Sequence, residues 1–386
     1  MNASSKPSRR TDMPAPFKLF GVFNDPETES AVLDVLRSGQ ISAGIHVEAF
    51  RTAFGELIAN SNIVTTNDVS AAMAIALRLA AIGPGDEVIV SPFSCLSSNA
   101  PIGISGATMV WADIDPQTAS LSVASVRRLL SGRTRAVVLY HVAGYPGPAD
   151  EVADLCQKAG IKLIEDCNNG LGATLDGRPL GGFGDLATYS FYPNRQINAI
   201  DGGAVACRAD DDFRRAMLLR RYGIDSARFR DVRGEIDAAL DVPELGWAAT
   251  LSNLHSAFAL ALLPGLPDRQ ARTFANAERL RALLSGVPGL ILVDPLPGAV
   301  PAYWAVLALV NQRDRLLEAL KGSGVEVSML HHRNDTYTGF AARRSSLPGV
   351  DRFMAEVIAF PCGWWLEPHD IDEIGAITRR ALAALV

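Results

Sequence analysis

Tyr189-Ser190-Phe191-Tyr192-Pro193-Asn194-Arg195-Gln196-Ile197-Asn198-Ala199-Ile200-Asp201-Gly202-Gly203 joins two apolar runs that read as strands, over 186–191 and 203–207. At its centre stands Arg195. A guanidinium has a pKa above roughly 12, spreads its charge over its nitrogens and offers no free amine nucleophile. It can grip a phosphate, carboxylate or pyrophosphate through paired hydrogen bonds. It can also orient a ligand or stabilise charge, but it does not readily take a proton.

Outward from this stretch, helix and strand signals alternate, the pattern of a largely parallel sheet covered by helices on both faces. Helices are expected over 26–38 (Asp25 as N-cap, Glu27 and Glu29 in the first turn), 46–59, 69–81, 122–130 and 150–159, the last ending at Gly160. Strands are expected over 62–66, 87–91, 107–111, 136–141 and 161–164. After Pro264 a helix over 268–284 leads into strands near 290–293, 303–310 and 325–329, and a final helix spans 370–385. The apolar stretch 254–263 reads as an interface helix.

At 386 residues the chain exceeds one typical core and suits a large domain plus a smaller one. The net charge of −6 and pI near 5.6 provide no basic field for nucleic acid or an anionic membrane. Five scattered cysteines in no C-x-x-C spacing read as reduced thiols. The histidines form no H-x-x-x-H pair, and His331 and His332 are expected to point apart, so no metal site is expected. The polar start through Pro16 reads as a flexible tail rather than a signal peptide, and 71–82 as a core helix rather than a membrane span. A cytoplasmic protein is expected.

Several motifs carry a family resemblance from about Phe23 to the C-terminus. These are Gly83-Pro84-Gly85-Asp86-Glu87-Val88-Ile89-Val90, Leu163-Ile164-Glu165-Asp166-Cys167-Asn168-Asn169-Gly170-Leu171-Gly172-Ala173, Gly181-Gly182-Phe183-Gly184-Asp185, Arg221-Tyr222-Gly223-Ile224-Asp225 and His332-Arg333-Asn334-Asp335. Together with the Tyr189 to Gly203 stretch, the chain resembles the DegT/DnrJ/EryC1/StrS sugar aminotransferases. The resemblance implies the fold type I architecture of pyridoxal phosphate (PLP) dependent transferases. That architecture is an α/β, three-layer αβα large domain with a mixed, mainly parallel sheet, plus a smaller α+β C-terminal domain. The implied divisions are a tail over 1–22, a large domain over 23–264 and a small domain over 265–386.

The resemblance also implies roles. Asp166 matches the aspartate that holds the pyridine nitrogen of the cofactor, and Ser70 and Ser190 match hydroxyls presented to its phosphate. Ser70 opens a helix whose first amides form an anion site; its plain alternative is a helix cap. Arg195 stands where the family's lysine forms the imine. Val69 replaces the usual glycine, Cys95 stands at the ring-stacking position, and Asn169 replaces a longer glutamine. Ala248 and Thr250 occupy positions that in relatives reach into the partner subunit's pocket. None of the five lysines, Lys6, Lys18, Lys158, Lys162 and Lys321, is placed to substitute for the missing amine.

Three readings remain open. One is a diverged enzyme of nucleotide-sugar or secondary-metabolite biosynthesis with Arg195 on an anionic group of a small-molecule substrate. The second is an enzyme that binds PLP or pyridoxamine phosphate (PMP) without a covalent link, for which related sugar 3-dehydratases with histidine at the lysine position set the precedent. The third is a non-catalytic homologue that pairs with an active relative. A homodimer or larger even-numbered assembly is expected. The bland role for Arg195 is an ion pair with Asp166 or Asp201.

Overall fold

The structure is a computed structural model, and it describes residues 17–340, 344 and 346–385. Its centre is a seven-stranded sheet in the order Ile63–Thr66, Gly203–Cys207, Leu186–Ser190, Lys162–Asp166, Thr134–Tyr140, Glu87–Val90, Thr108–Trp111. Gly203–Cys207 runs antiparallel to both of its neighbours, while the remaining pairs are parallel. The strand residues are almost all buried, as a sheet covered on both faces requires. One apolar cluster includes Met73, Ile75, Val88 and Val138 on one face. The other gathers Phe50, Phe54, Ile89 and Val137.

The strand ends position the site. Helix Val69–Leu79 starts three residues after Thr66, and Asp68 caps it, its Oδ1 accepting from the Ala71 amide at 2.8 Å. Asp68, not Ser70, is therefore the cap, and the Ser70 hydroxyl remains available to the cleft. Gly203 is required here: a Cβ on it would lie 2.7 Å from the Asp68 carbonyl oxygen.

A smaller three-stranded antiparallel sheet, Ile291–Leu292, Val306–Leu309 and Val357–Phe360, packs with helices Leu266–Leu284, Arg313–Gly322 and Pro368–Ala383. The strand expected over 325–329 does not form. Val325 and Ser328 each make one isolated bridge, to Phe17 and Ala359, on different neighbours, so no continuous ladder forms. The expected tail is also shorter. Its first sixteen residues lie outside the described ones, but Phe17 and Leu19 are buried and the Trp365 indole donates to the Lys18 carbonyl. Helix Asn253–Leu262 buries Ser256, Ala257, Ala259 and Leu262 and packs on helices Pro26–Ser38 and Ile45–Leu57. Much of its apolar face is thus covered within the chain. No helix of the described residues is long and apolar enough to cross a membrane.

Candidate active site

The cleft lies at the carboxyl ends of the central strands, where open α/β sheets bind ligands. Val69, Ser70, Cys95, Asn169, Ser190 and Arg195 all line it, so the structure brings together residues that the sequence spreads over more than a hundred positions. Asp166, the last residue of its strand, is fully buried beside them. Ala248 and Thr250 are exposed and do not line this chain's own cleft.

Arg195 is held by amides rather than by acids. Its Nε and Nη2 donate to Asn168 Oδ1 at 2.9 and 2.6 Å, and its Nη1 donates to Asn194 Oδ1. The guanidinium carbon lies 5.0 Å from the ring centre of Trp304, a cation–π contact. No ion pair joins Arg195 to Asp166 or Asp201 among the described residues, which corrects that expectation. Asn168 and Asn194 reach the guanidinium first, and neutral oxygens leave its charge unneutralised. Of its five N–H donors, three are taken, leaving two. Burial lowers its pKa, with Tyr140, Cys95 and Asp166 pulling the other way.

Asp166 Oδ1 accepts the Asn168 amide at 3.0 Å. Its other oxygen, Oδ2, is buried without a partner. Burial pushes this carboxyl above the usual carboxylate range, against the nearby Ser98 hydroxyl first, then the Asn168 amide, His141 and Arg195. A buried acceptor in want of a donor is what a protonated ring nitrogen would satisfy, so the residues fit the pyridine end of PLP or PMP. They do not fit the covalent link. Lys158 and Lys162 pair with Asp154 and Asp185, Lys321 lies on helix Arg313–Gly322, and among the described residues no lysine lines the cleft.

Next to Asp166, Glu165 ties the 181–184 loop to His141. Glu165 is wholly buried and accepts the amides of Gly181 (2.9 Å), Phe183 (2.7 Å) and Gly184 (2.5 Å), as well as His141 Nε2 at 3.3 Å. Burial alone would raise this carboxyl; the His141 contact and the amides more than offset it and hold it below its ordinary value. His141, Glu165 and Cys167 come within ligand distance of one another, a cluster the sequence spacing did not reveal. His141 Nδ1 accepts the Gly147 amide at 2.9 Å, so Nε2 carries the ring proton and neither nitrogen has a lone pair to give a metal.

Sequence reasoning missed Trp304, Tyr140, Asn168 as an arginine partner and His331 as a lining residue. Asn169 Nδ2 donates to the Tyr140 hydroxyl at 3.0 Å, and His331 Nε2 lies 3.1 Å from the same oxygen. His331 and His332 do point apart, His331 towards Tyr140 and His332 towards Tyr337.

Comparison with known proteins agrees with this geometry. The DegT/DnrJ/EryC1/StrS aminotransferase family profile matches residues 23–379. The dTDP-3-amino-3,4,6-trideoxy-alpha-D-glucose transaminase of Streptomyces venezuelae is 28% identical over 362 residues, 92% of each chain. The sugar aminotransferase CalS13 of Micromonospora echinospora superposes with a TM-score of 0.89 at 30% identity, covering 94% of this chain and 99% of its own. The aminotransferase TlmJ of Streptoalloteichus hindustanus gives 0.89 at 27% identity, over 96% and 100%. On fold and sequence alike, this chain belongs to the DegT/DnrJ/EryC1/StrS aminotransferase family.

Proposed function

We propose that the chain is a diverged enzyme of nucleotide-sugar or secondary-metabolite biosynthesis that forms no lysine-linked cofactor and holds an anionic group of a small-molecule substrate on Arg195. The observation that carries this reading is the anchored guanidinium. Three of its donors are fixed on Asn168 and Asn194, its face rests on Trp304, and among the described residues no acid forms an ion pair with it. Such a cation is pre-organised for a carboxylate or phosphate, so a ligand orders little on binding. The relatives named as sugar transaminases support the substrate class.

A second reading is favoured by Asp166 Oδ2, the buried acceptor without a partner. On it, PLP or PMP binds noncovalently, with Asp166 at the ring nitrogen and Ser70, Ser190 and the amides of helix Val69–Leu79 at the phosphate. Bound there, the cofactor supplies an electron sink; the chain's own groups hold it and orient the substrate. The protein is read as a cytoplasmic homodimer. Exposed Ile104 and Trp247, which share a groove with Asp68 and Ser70, support an apolar contact beside the phosphate end of the cleft.

The test is intact mass and an absorbance spectrum of the purified protein, before and after adding PLP or PMP, followed by borohydride. No reducible adduct is expected. A stable mass increase on a peptide from residues 186–207 overturns the reading. Calorimetric binding of inorganic pyrophosphate that is lost in Arg195→Gln supports the anion site, and equal binding by both proteins rejects it.

A further inference from the structure

Tyr140 ends a strand of the central sheet, whereas His331 comes from the small-domain segment after Ser328; they meet in the cleft with Tyr140 Oη 3.1 Å from His331 Nε2. A phenol has one proton. The Tyr140 oxygen already accepts from Asn169 Nδ2 at 3.0 Å, so its own proton is directed at His331 Nε2. That nitrogen then carries the lone pair, and the ring proton sits on Nδ1, a tautomer assigned from the hydrogen-bond network. The imidazole is packed edge-on to Phe93, with ring centres 5.4 Å apart, and tilted on Tyr140 at 5.7 Å. The charged and titratable groups that face the pair are Arg195, Asp166 and Cys95. Burial first, then the Arg195 charge, pulls the His331 imidazole down to about 4. It is neutral at neutral pH, whereas Arg195 remains protonated and the cleft holds no lysine among the described residues.

We propose that Tyr140 and His331 form the proton-accepting pair of the cleft, taking the proton that neither an absent lysine nor Arg195 can take from a ligand held on Arg195. The inference rests on the anion-binding reading of the cleft. In the step, an O–H or N–H bond of the ligand breaks and leaves its electron pair on the ligand. A new O–H bond forms at Tyr140 as the old one breaks, and the released proton forms an N–H bond at His331 Nε2. Tyr140 ends as a phenol and His331 as an imidazolium. The new cation shares the cleft with Arg195, so it is favoured when a bound anion balances the guanidinium. Anion binding and protonation of His331 are therefore linked, each strengthening the other equally.

The test is nitrogen-15 NMR of the histidine rings in the full-length protein from acid to neutral pH. Wild type, Tyr140→Phe and Arg195→Gln are compared, each with and without inorganic phosphate. In wild type at neutral pH the expected ring is neutral, with Nε2 as a hydrogen-bonded acceptor. That acceptor signature is lost in Tyr140→Phe, and the titration midpoint moves up in Arg195→Gln. Phosphate raises the wild-type midpoint and leaves Arg195→Gln unmoved. Calorimetry in two buffers of different ionisation heat shows proton uptake with phosphate at mildly acid pH, lost in His331→Gln. A proton on Nε2 at neutral pH overturns the proposal, as does a midpoint that bound phosphate leaves unchanged. Phosphate that fails to bind wild type rejects the anion-binding reading instead; the pair then stands or falls on the tautomer and the Arg195→Gln midpoint.

Discussion

Arg195→Lys restores an amine at the family's lysine position, and its outcome separates a single broken residue from a rebuilt pocket. The guanidinium spans Asn168 and Asn194 and lies against Trp304. A lysine nitrogen is a single point donor and cannot hold both amides and the ring face. Hydrogen bonds to charged groups contribute about 1.5–3 kcal/mol each, and an exposed cation–π contact about 0.5–1 kcal/mol. Losing one amide and the stack at this half-buried position therefore costs about 2–4 kcal/mol. For a chain of this size that lowers Tm by roughly 2–5 °C. The new amine is desolvated beside Tyr140 and Asp166, which favours reaction with PLP. Yet on the proposed reading Val69 stands at the phosphate end in place of a glycine, Cys95 stands at the ring-stacking position, and Asn169 is held on Tyr140. Misplacing a bound group by about 1 Å costs on the order of a hundredfold in rate. The expected result is a weak absorbance near roughly 410–430 nm, a borohydride-fixed mass on the 186–207 peptide, and little transfer from an amino donor. Turnover approaching about 1 per second, the low end of ordinary enzymes, would falsify the view that the pocket has been rebuilt.

Three further outcomes are expected. Glu165→Ala leaves the buried amides of Phe183 and Gly184 and the His141 N–H without their acceptor, and a cost of about 3–5 kcal/mol is read by urea denaturation; a change below about 1 kcal/mol rejects its role in tying the 181–184 loop to His141. Acid weakens the clamp of Arg215 and Arg78 on Glu244, whose carboxyl is held at about 2 against an ordinary 4.5, mainly by the Arg215 hydrogen bond. A depressed carboxyl contributes stability that is full above about 4.5 and lost as pH falls towards 2, so Glu244→Gln flattens the stability curve in that window; parallel curves refute this. Light scattering is expected to show an even-numbered assembly at micromolar concentration, with Trp247→Glu shifting it towards monomer; a monomeric wild type rejects the dimer.

The alternation of apolar runs with capping and glycine signals was enough to place most of the central sheet and its helices, because both periods are local properties of the chain. Asp25 caps its helix and Gly160 closes another in the left-handed region, as read from neighbouring residues alone. Short or isolated pieces were less legible. Strand Val357–Phe360 and helix Leu96–Ile104, which carries an internal proline, have no periodic pattern long enough to announce them. The segment 325–329 looked like a strand, and only its bridges to Phe17 and Ala359 show why it is not.

The sequence by itself determined that no amine stands at position 195 and that a carboxylate stands at 166, since these are matters of residue identity along a motif. It could not say what the guanidinium touches. Asn168 is 27 positions away, Trp304 more than a hundred, and His331 meets Tyr140 across 191 residues. Contacts of that separation are decided by how the strand ends and the segments carrying Trp304 and His331 pack together, and no local propensity encodes that distance. Tertiary structure therefore turned the expected ion pair of Arg195 into an amide clamp, left Asp166 Oδ2 without a hydrogen-bond partner, and brought the His331 imidazole against Tyr140 in the same cleft.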